Sequence, residues 1–270
     1  MNRISQTVPL QFDTVFSPFK AAEFDIALES IAKAGFSGVE LAIAHPKDVD
    51  IKSLTQRLRN NKLDVTTIST GQAYALNGVF LSSFDKETRD AAASLINGHV
   101  DLSAQLGFPP VTIGLLRGKL EKGEKQALLQ NLSLAIEPCI KYAQKLGVIL
   151  QLEPICKEET SLINTVYDAL GFIEMLGNPE NMGILYDTYH SYREDGDMYT
   201  AILAAGTRVT NVHLSDSHRG LPGYGDIDFD TVAKALQKIG YRGAYALETL
   251  VIPDRDFIIK HGYDSATVVK

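Results

Sequence analysis

The sequence lacks any long hydrophobic run. Its 270 residues are 45% hydrophobic, yet no segment approaches the roughly 20 consecutive apolar residues that a membrane-spanning helix needs. The first residues, MNRISQTVPLQF, also lack the apolar core of a secretion signal. We therefore expect neither a membrane partner nor secretion.

Cysteine and positive charge are also scarce. The two cysteines, Cys139 and Cys156, form neither a disulfide framework nor a paired metal-binding motif, so a reducing cytoplasm is the expected location. Lysine and arginine number 26 against 33 acidic residues, and the formal net charge is −7. Such an acidic balance argues against binding to a nucleic-acid backbone or an anionic membrane.

Short apolar segments alternate with amphipathic ones along the chain. The predicted strands lie at residues 7–12, 37–43, 64–70, 110–116, 147–153, 181–187, 208–214 and 243–249. The clearest amphipathic helices lie at residues 19–34, 86–106, 124–146, 163–176 and 228–239. Glycine commonly separates a helix from the next strand, as in AKAGFSG (32–38) and LQKIGYRG (236–243).

Eight alternations of strand and helix over about 250 residues are typical of a (β/α)8 barrel. The alternative is an open doubly wound sheet, which usually has a glycine-rich turn after its first strand. Here the first strand is followed by DTVFSP (13–18), which contains no glycine. No linker divides the chain. The sequence therefore predicts an α/β fold, a TIM barrel, in one domain that spans residues 1–270.

Four successive predicted strands end in a side chain that can bind a metal. Glu153 ends VILQLE, Asp187 ends MGILYD, His213 lies in VTNVHL and Glu248 ends AYALE. Each residue alone is typical of a salt bridge or a helix cap. Because strand ends of a barrel meet at one rim, three carboxylates would repel one another there unless a divalent cation lay between them. Oxygen and imidazole donors suit Mn²⁺ best here, with Mg²⁺, Co²⁺ or Zn²⁺ as alternatives.

Loops after these strands contain candidates for substrate contacts. His190 follows the sixth strand in DTYH, and Arg219 lies in the glycine-rich HLSDSHRGLPGYGDIDF (213–229). Arg219 could bind a hydroxyl pair, a carboxylate or a phosphate. Arg117 ends the fourth strand in TIGLLRG and is expected at the same rim. Glu159, which follows Glu153 in the next loop, is either a further contact or a surface carboxylate.

These motifs together resemble the xylose isomerase-like TIM-barrel superfamily of sugar isomerases and epimerases. LEPICKEETSLINT, ILYDTYH, the 213–229 segment and YALE stand in the order and spacing of that family, and the resemblance covers essentially the whole chain. STGQAY and TIGLLRG are most similar to the ketose 3-epimerase and 5-keto-gluconate epimerase branch.

The resemblance implies a metal-dependent isomerase with one divalent ion held by Glu153, Asp187, His213 and Glu248. The two glutamates would also be catalytic: one removes a proton next to the carbonyl, and the other returns a proton to the opposite face of a metal-stabilised enediolate. The implied substrate is a ketose, a keto-sugar acid or a sugar phosphate. His190 would bind substrate oxygens, as would Arg219, Glu159 and Arg117. Relatives are commonly homodimers or homotetramers.

The chain also departs from the family. Relatives often have Asn-Arg-aromatic-Glu where this chain has Cys156-Lys157-Glu158-Glu159. Three other functions stay open. A dehydratase of an inosose or a shikimate-like acid starts with the same proton removal, and a non-catalytic barrel would only bind a ligand. An endonuclease IV-like nuclease would need histidines after the third and fourth strands, where this chain has none.

Overall fold

A closed barrel of eight parallel strands forms the centre of the molecule. In the computed structural model, which describes residues 3–119 and 122–269, each strand pairs with the next along the chain, and the last pairs with the first. The strands are β1 (Ile4–Pro9), β2 (Gly38–Ala42), β3 (Asp64–Ser69), β4 (Val111–Ile113), β5 (Leu150–Leu152), β6 (Met182–Asp187), β7 (Val209–Leu214) and β8 (Ala244–Leu247). The predicted (β/α)8 barrel is confirmed.

Helices cover the outside of the barrel. They are α1 (Phe24–Ala34), α2 (Ile51–Asn61), α3 (Gly71–Asn77), α4 (Lys86–Gln105), α5 (Lys125–Leu146), α6 (Val166–Met175), α7 (Thr188–Glu194), α8 (Met198–Ala205), α9 (Phe229–Lys238) and α10 (Arg255–Ala266). Short 3-10 helices lie at Ala21–Glu23, Pro46–Asp48, Leu115–Arg117, Gly206–Arg208 and Thr267–Val269. Within the described ranges, no helix combines the length and the apolar composition that a membrane crossing requires.

Helix α1 shows how the sequence pattern produces this layer. Phe24, Ala27, Leu28 and Ile31 are buried, and their spacing places them on one face of the helix. The helix ends at Gly35, whose φ of 106° is a left-handed conformation that glycine adopts without strain. The end of the helix therefore agrees with the predicted helix at residues 19–34, whereas its start lies at Phe24.

The first strand differs from its predicted position, 7–12. It covers Ile4–Pro9, and the residues that follow leave the sheet. The side-chain oxygen of Gln11 accepts hydrogen bonds from the backbone N–H groups of Ala44 (3.0 Å) and His45 (2.8 Å). Gln11 thus ties the β1–α1 loop to the segment after β2, a tertiary contact that strand periodicity does not reveal.

Polar side chains fill part of the barrel interior below the rim. The Gln151 amide donates hydrogen bonds to the hydroxyls of Thr67 (3.0 Å) and Thr112 (2.9 Å), and its oxygen accepts one from Thr210 (2.7 Å). Because buried polar groups are costly without partners, this network fixes the relative positions of β3, β4, β5 and β7. The strand ends above it are held in place accordingly.

Candidate active site

The four side chains predicted at the rim meet at one point. Nδ1 of His213 lies 3.5 Å from Oε1 of Glu153, 3.6 Å from Oδ2 of Asp187 and 3.4 Å from Oε2 of Glu248. One donor atom from each of the four side chains lies within 4.8 Å of the others. Asp187 and His213 are 2% and 1% exposed, and both glutamates are 8% exposed.

Two atoms of this cluster show that it fits a metal ion. Oδ2 of Asp187 and Nδ1 of His213 are buried and have no hydrogen-bond partner. Buried polar atoms are rarely left without a partner unless water, an ion or function accounts for them. Both atoms point into the same space between oxygen donors. Three carboxylates and one imidazole would therefore supply four ligands to a divalent cation.

The electrostatics of the cluster also favour a cation. Burial raises the pKa of Asp187, but the neighbouring His190 and His213 outweigh it and hold this pKa below its usual range. The pKa of Glu248 is likewise lowered, because His213 outweighs the effect of burial. Burial alone would lower the pKa of His213, but Glu40 and Glu248 raise it well above its ordinary value. Asp187 and Glu248 are therefore carboxylates at neutral pH.

Local structure holds two of the candidate ligands in place. Oδ1 of Asp187 caps α7, accepting hydrogen bonds from the backbone N–H groups of Tyr189 (2.8 Å) and His190 (3.0 Å), so Oδ2 is left to face the cluster. Glu153 lies against Gly114 at the end of β4. A Cβ at Gly114 would come within 2.9 Å of Oε2 of Glu153, so glycine permits this close approach.

His190, Arg219 and Glu159 form a second group beside the cluster. The Arg219 guanidinium donates a hydrogen bond to Glu159 and lies 3.4 Å from Nε2 of His190. Cζ of Arg219 lies over the rings of Phe16 and Tyr189, 4.3 Å and 5.0 Å from their centroids. Three of the four predicted substrate contacts are thus brought together on one side of the rim.

The segment Cys156-Lys157-Glu158, which departs from the family pattern, contacts α7. The Lys157 ammonium lies 2.9 Å from Oε2 of Glu194, and the Glu158 carboxylate pairs with Arg193. The backbone N–H of Cys156 donates to Nδ1 of His190 (3.3 Å). These residues therefore join the β5–α6 loop to the helix that carries His190, while Glu159 keeps its place at the site.

One other set of side chains among the described residues has donor atoms close enough together for a metal. It consists of Cys156, Glu159 and His190. The guanidinium of Arg219 contacts both Glu159 and His190. A positive charge at that distance opposes a cation. His190 and Glu159 therefore remain candidates for contact with a substrate.

Arg117 does not reach the site, and its assignment as a substrate contact is corrected. It is fully buried, and its guanidinium donates to the backbone carbonyls of Leu162 (3.0 Å), Ile113 (3.3 Å), Gly114 (2.9 Å) and Ile163 (3.1 Å). Burial lowers the pKa of Arg117 to about 10, so the side chain stays charged at neutral pH. Its role is to join the end of β4 to the loop after β5.

Glu40 is a buried carboxylate that the sequence reading missed. It lies in β2, is fully buried, and its Oε2 is 2.6 Å from Nε2 of His213. The signal was present in GVELA, where an acidic residue interrupts a buried strand. Without the fold, nothing relates that residue to a histidine on β7.

The cavity above the cluster has a volume of about 330 Å³. Glu153 and Glu248 are the two metal-ligand candidates that line it. Glu159, His190 and Arg219 line one side. The remaining wall comes mainly from the β1–α1 loop and the ends of β3 and β4, with Asp13, Thr14, Val15, Phe16, Thr70, Gln72 and Leu115.

Known proteins similar to this chain include a family of TIM barrels and several sugar epimerases. The model of the xylose isomerase-like TIM-barrel family matches residues 28–265. A ketose 3-epimerase from Arthrobacter globiformis is 33% identical over 87% of this chain and 82% of its own length. An L-ribulose 3-epimerase from Mesorhizobium japonicum is 32% identical over 84% of this chain and 76% of its own length.

Solved structures are similar over nearly the whole chain. A structure of L-ribulose 3-epimerase has a TM-score of 0.80 and 28% identity, and the match covers 100% of this chain and 91% of that one. A structure of D-allulose 3-epimerase from Methylomonas sp. also has a TM-score of 0.80. Its identity is 26%, and the match covers 99% of this chain and 94% of that one.

Removal of the Asp187 charge should weaken metal binding and leave the fold intact. Asparagine is as good a helix cap as aspartate, so Asp187→Asn should keep α7 and lose only the charged ligand. We expect the affinity for Mn²⁺ to fall at least about 10-fold, as measured by elemental analysis after equilibrium dialysis. The matched control is Asp197→Asn, because Asp197 caps α8 in the same way. Wild-type affinity in Asp187→Asn would show that Asp187 is not a ligand.

Arg117→Met should destabilise the protein because four buried carbonyl oxygens would each lose the hydrogen bond that the guanidinium donates. We expect the free energy of unfolding in urea to fall by about 2–4 kcal/mol. Arg59→Met, which changes an exposed arginine, should stay within about 0.5 kcal/mol of wild type. A stable Arg117→Met variant with weakened substrate binding would instead return Arg117 to the substrate site.

Proposed function

The chain belongs to the xylose isomerase-like TIM-barrel family, and we propose that it is an epimerase that inverts the carbon next to the carbonyl of a ketose. The main support is the placement of two glutamates. Glu153 and Glu248 follow β5 and β8, which are not neighbours in the barrel, and both line the cavity. Epimerisation requires proton transfer at two faces of one carbon, and two such carboxylates can supply it.

The reaction can be described from the residues of the chain. A hydrogen on a carbon next to a ketone is weakly acidic, and a bound divalent ion would stabilise the negative charge that develops on the carbonyl oxygen. One glutamate, in its ionised form, takes this proton. The other glutamate, in its acid form, gives a proton to the opposite face of the same carbon. The two carboxyl groups thereby exchange protonation states, so exchange with solvent must restore them.

His190, Arg219 and Glu159 would orient the sugar. Arg219 contacts two aromatic rings, those of Phe16 and Tyr189, and Glu159 accepts one of its hydrogen bonds. Hydroxyl groups of a sugar both donate and accept hydrogen bonds. They therefore suit a site in which Arg219 offers donors, Glu159 offers acceptors and His190 offers a ring nitrogen. Such positioning keeps the reacting carbon between the two glutamates.

The charge of the cavity favours an uncharged ketose over a phosphate or an acid. Four carboxylates line it: Asp13, Glu153, Glu159 and Glu248. Among the described residues that line the cavity, Arg219 is the one lysine or arginine, and Glu159 already neutralises it. A divalent ion would balance only two of the three carboxylates that hold it, and Asp13 adds a further negative charge, so a phosphate would enter a negative field without a lysine or arginine of its own. We therefore propose a free ketose as the substrate.

The decisive experiment follows the reaction by NMR in D₂O. Purified protein with Mn²⁺ is incubated with free ketopentoses and ketohexoses, and with their phosphates. We expect an epimer of unchanged heavy-atom composition with one deuterium on the carbon next to the carbonyl. The free ketose should have a kcat/KM at least about 10-fold higher than its phosphate. Glu153→Gln and Glu248→Gln should each abolish epimerisation, with metal content measured in parallel.

Other outcomes would identify other reactions. Loss of water from the substrate would indicate the dehydratase alternative, and retention of the substrate hydrogen would indicate hydride transfer. Either result would contradict the two-glutamate epimerase. The cytoplasmic location and the homodimer or homotetramer stay predictions.

A further inference from the structure

Glu40 occupies a position that the proposed reaction does not use. It is fully buried in β2, inside the barrel, and it is not among the residues that line the cavity. A substrate in the cavity therefore does not touch it. Burial of a carboxylate is costly, so its presence requires an explanation.

The contacts of Glu40 are specific. Its Oε2 lies 2.6 Å from Nε2 of His213, and its Oε1 accepts a hydrogen bond from the Thr7 hydroxyl (3.1 Å). Thr7 is the residue paired with Glu40 on the neighbouring strand β1. His213 lies on β7, which does not pair with β2, so the contact crosses the barrel interior.

This contact determines which nitrogen of His213 faces the metal ligands. A carboxylate only accepts hydrogen bonds, so Nε2 of His213 must carry the hydrogen that points to Glu40. A metal ligand must be a neutral imidazole, so metal binding would displace the second proton of His213 and leave the lone pair on Nδ1. Nδ1 is the atom that lies 3.4–3.6 Å from the oxygens of Glu153, Asp187 and Glu248. Glu40 therefore directs the donor nitrogen of His213 to the centre of the cluster.

A purely structural role would not need a charge at position 40. The side chain of glutamine has the same shape, and its oxygen can accept from Nε2 of His213 while its amide donates to the Thr7 hydroxyl. Glutamine would thus satisfy both contacts without a buried charge. The carboxylate adds electron density to the imidazole, which strengthens a metal ligand.

We propose that Glu40 is a positioning residue that orients His213 and strengthens it as a ligand for the divalent metal. The inference rests on the metal-dependent function proposed above. It concerns the affinity of the site for its metal rather than the proton transfer itself. It can therefore be tested without any substrate.

The test compares Glu40→Gln with wild type by titration with Mn²⁺. Free Mn²⁺ is measured by electron paramagnetic resonance. We expect the Kd of Glu40→Gln to rise about 10–100-fold while its far-ultraviolet circular dichroism is unchanged. The matched control is Thr66→Val, another buried polar side chain of the barrel interior, whose hydroxyl bonds to Ser5 and the backbone of Val39. Its Kd should equal that of wild type, although its stability should fall.

A second variant covers the case in which Glu40→Gln does not fold. Glu40→Asp keeps the charge but withdraws it from His213 by one methylene, so its Kd should also rise. Glu40→Gln keeps the contact and loses the charge, so a wild-type Kd in it would show that the charge does not strengthen His213. Glu40→Asp loses the contact, so a wild-type Kd in it would show that the contact does not orient His213. Either result would overturn the proposal. If wild-type protein itself binds no Mn²⁺, the metal-dependent function fails instead, which is a separate outcome.

Discussion

The mutual repulsion of buried carboxylates is the constraint on which the site depends. Glu40, Glu153, Asp187 and Glu248 lie at or near one point of the barrel, and His213 is in contact with all four. Such a concentration of negative charge in a buried place is costly unless a cation balances it. The barrel makes the arrangement possible, because its rigid strands and interior hydrogen bonds hold the side chains together against their repulsion.

The same charge distribution separates the candidate metal ligands from the candidate substrate contacts. Glu153 and Glu248, which lie next to Asp187 and His213, line the cavity, and Arg219 lines it together with Glu159 and His190. The rings of Phe16 and Tyr189 and the carboxylate of Glu159 contact the Arg219 guanidinium. A neutral polyhydroxylated ligand can bridge the two regions, since it brings no charge of its own into either.

Much of this site could be predicted from the sequence, because one regularity of the fold is strong. Parallel strands in a barrel end at one rim, so the residues that end β5 to β8 had to meet there. The sequence wrongly predicted Arg117 at the rim, because the 3-10 helix Leu115–Arg117 turns its side chain toward backbone carbonyls. Glu40 was missed because its partner, His213, lies across the barrel, and that distance along the chain leaves no local pattern.

The most direct test of this account is a crystal structure of the Mn²⁺-loaded protein with anomalous diffraction recorded at the manganese edge. The account predicts one peak per chain, at about 2.0–2.4 Å from an oxygen of Glu153, Asp187 and Glu248 and from Nδ1 of His213. Nε2 of His213 should remain in contact with Glu40. A peak bound to Nε2, a peak outside this cluster, or no peak in fully loaded protein would contradict it.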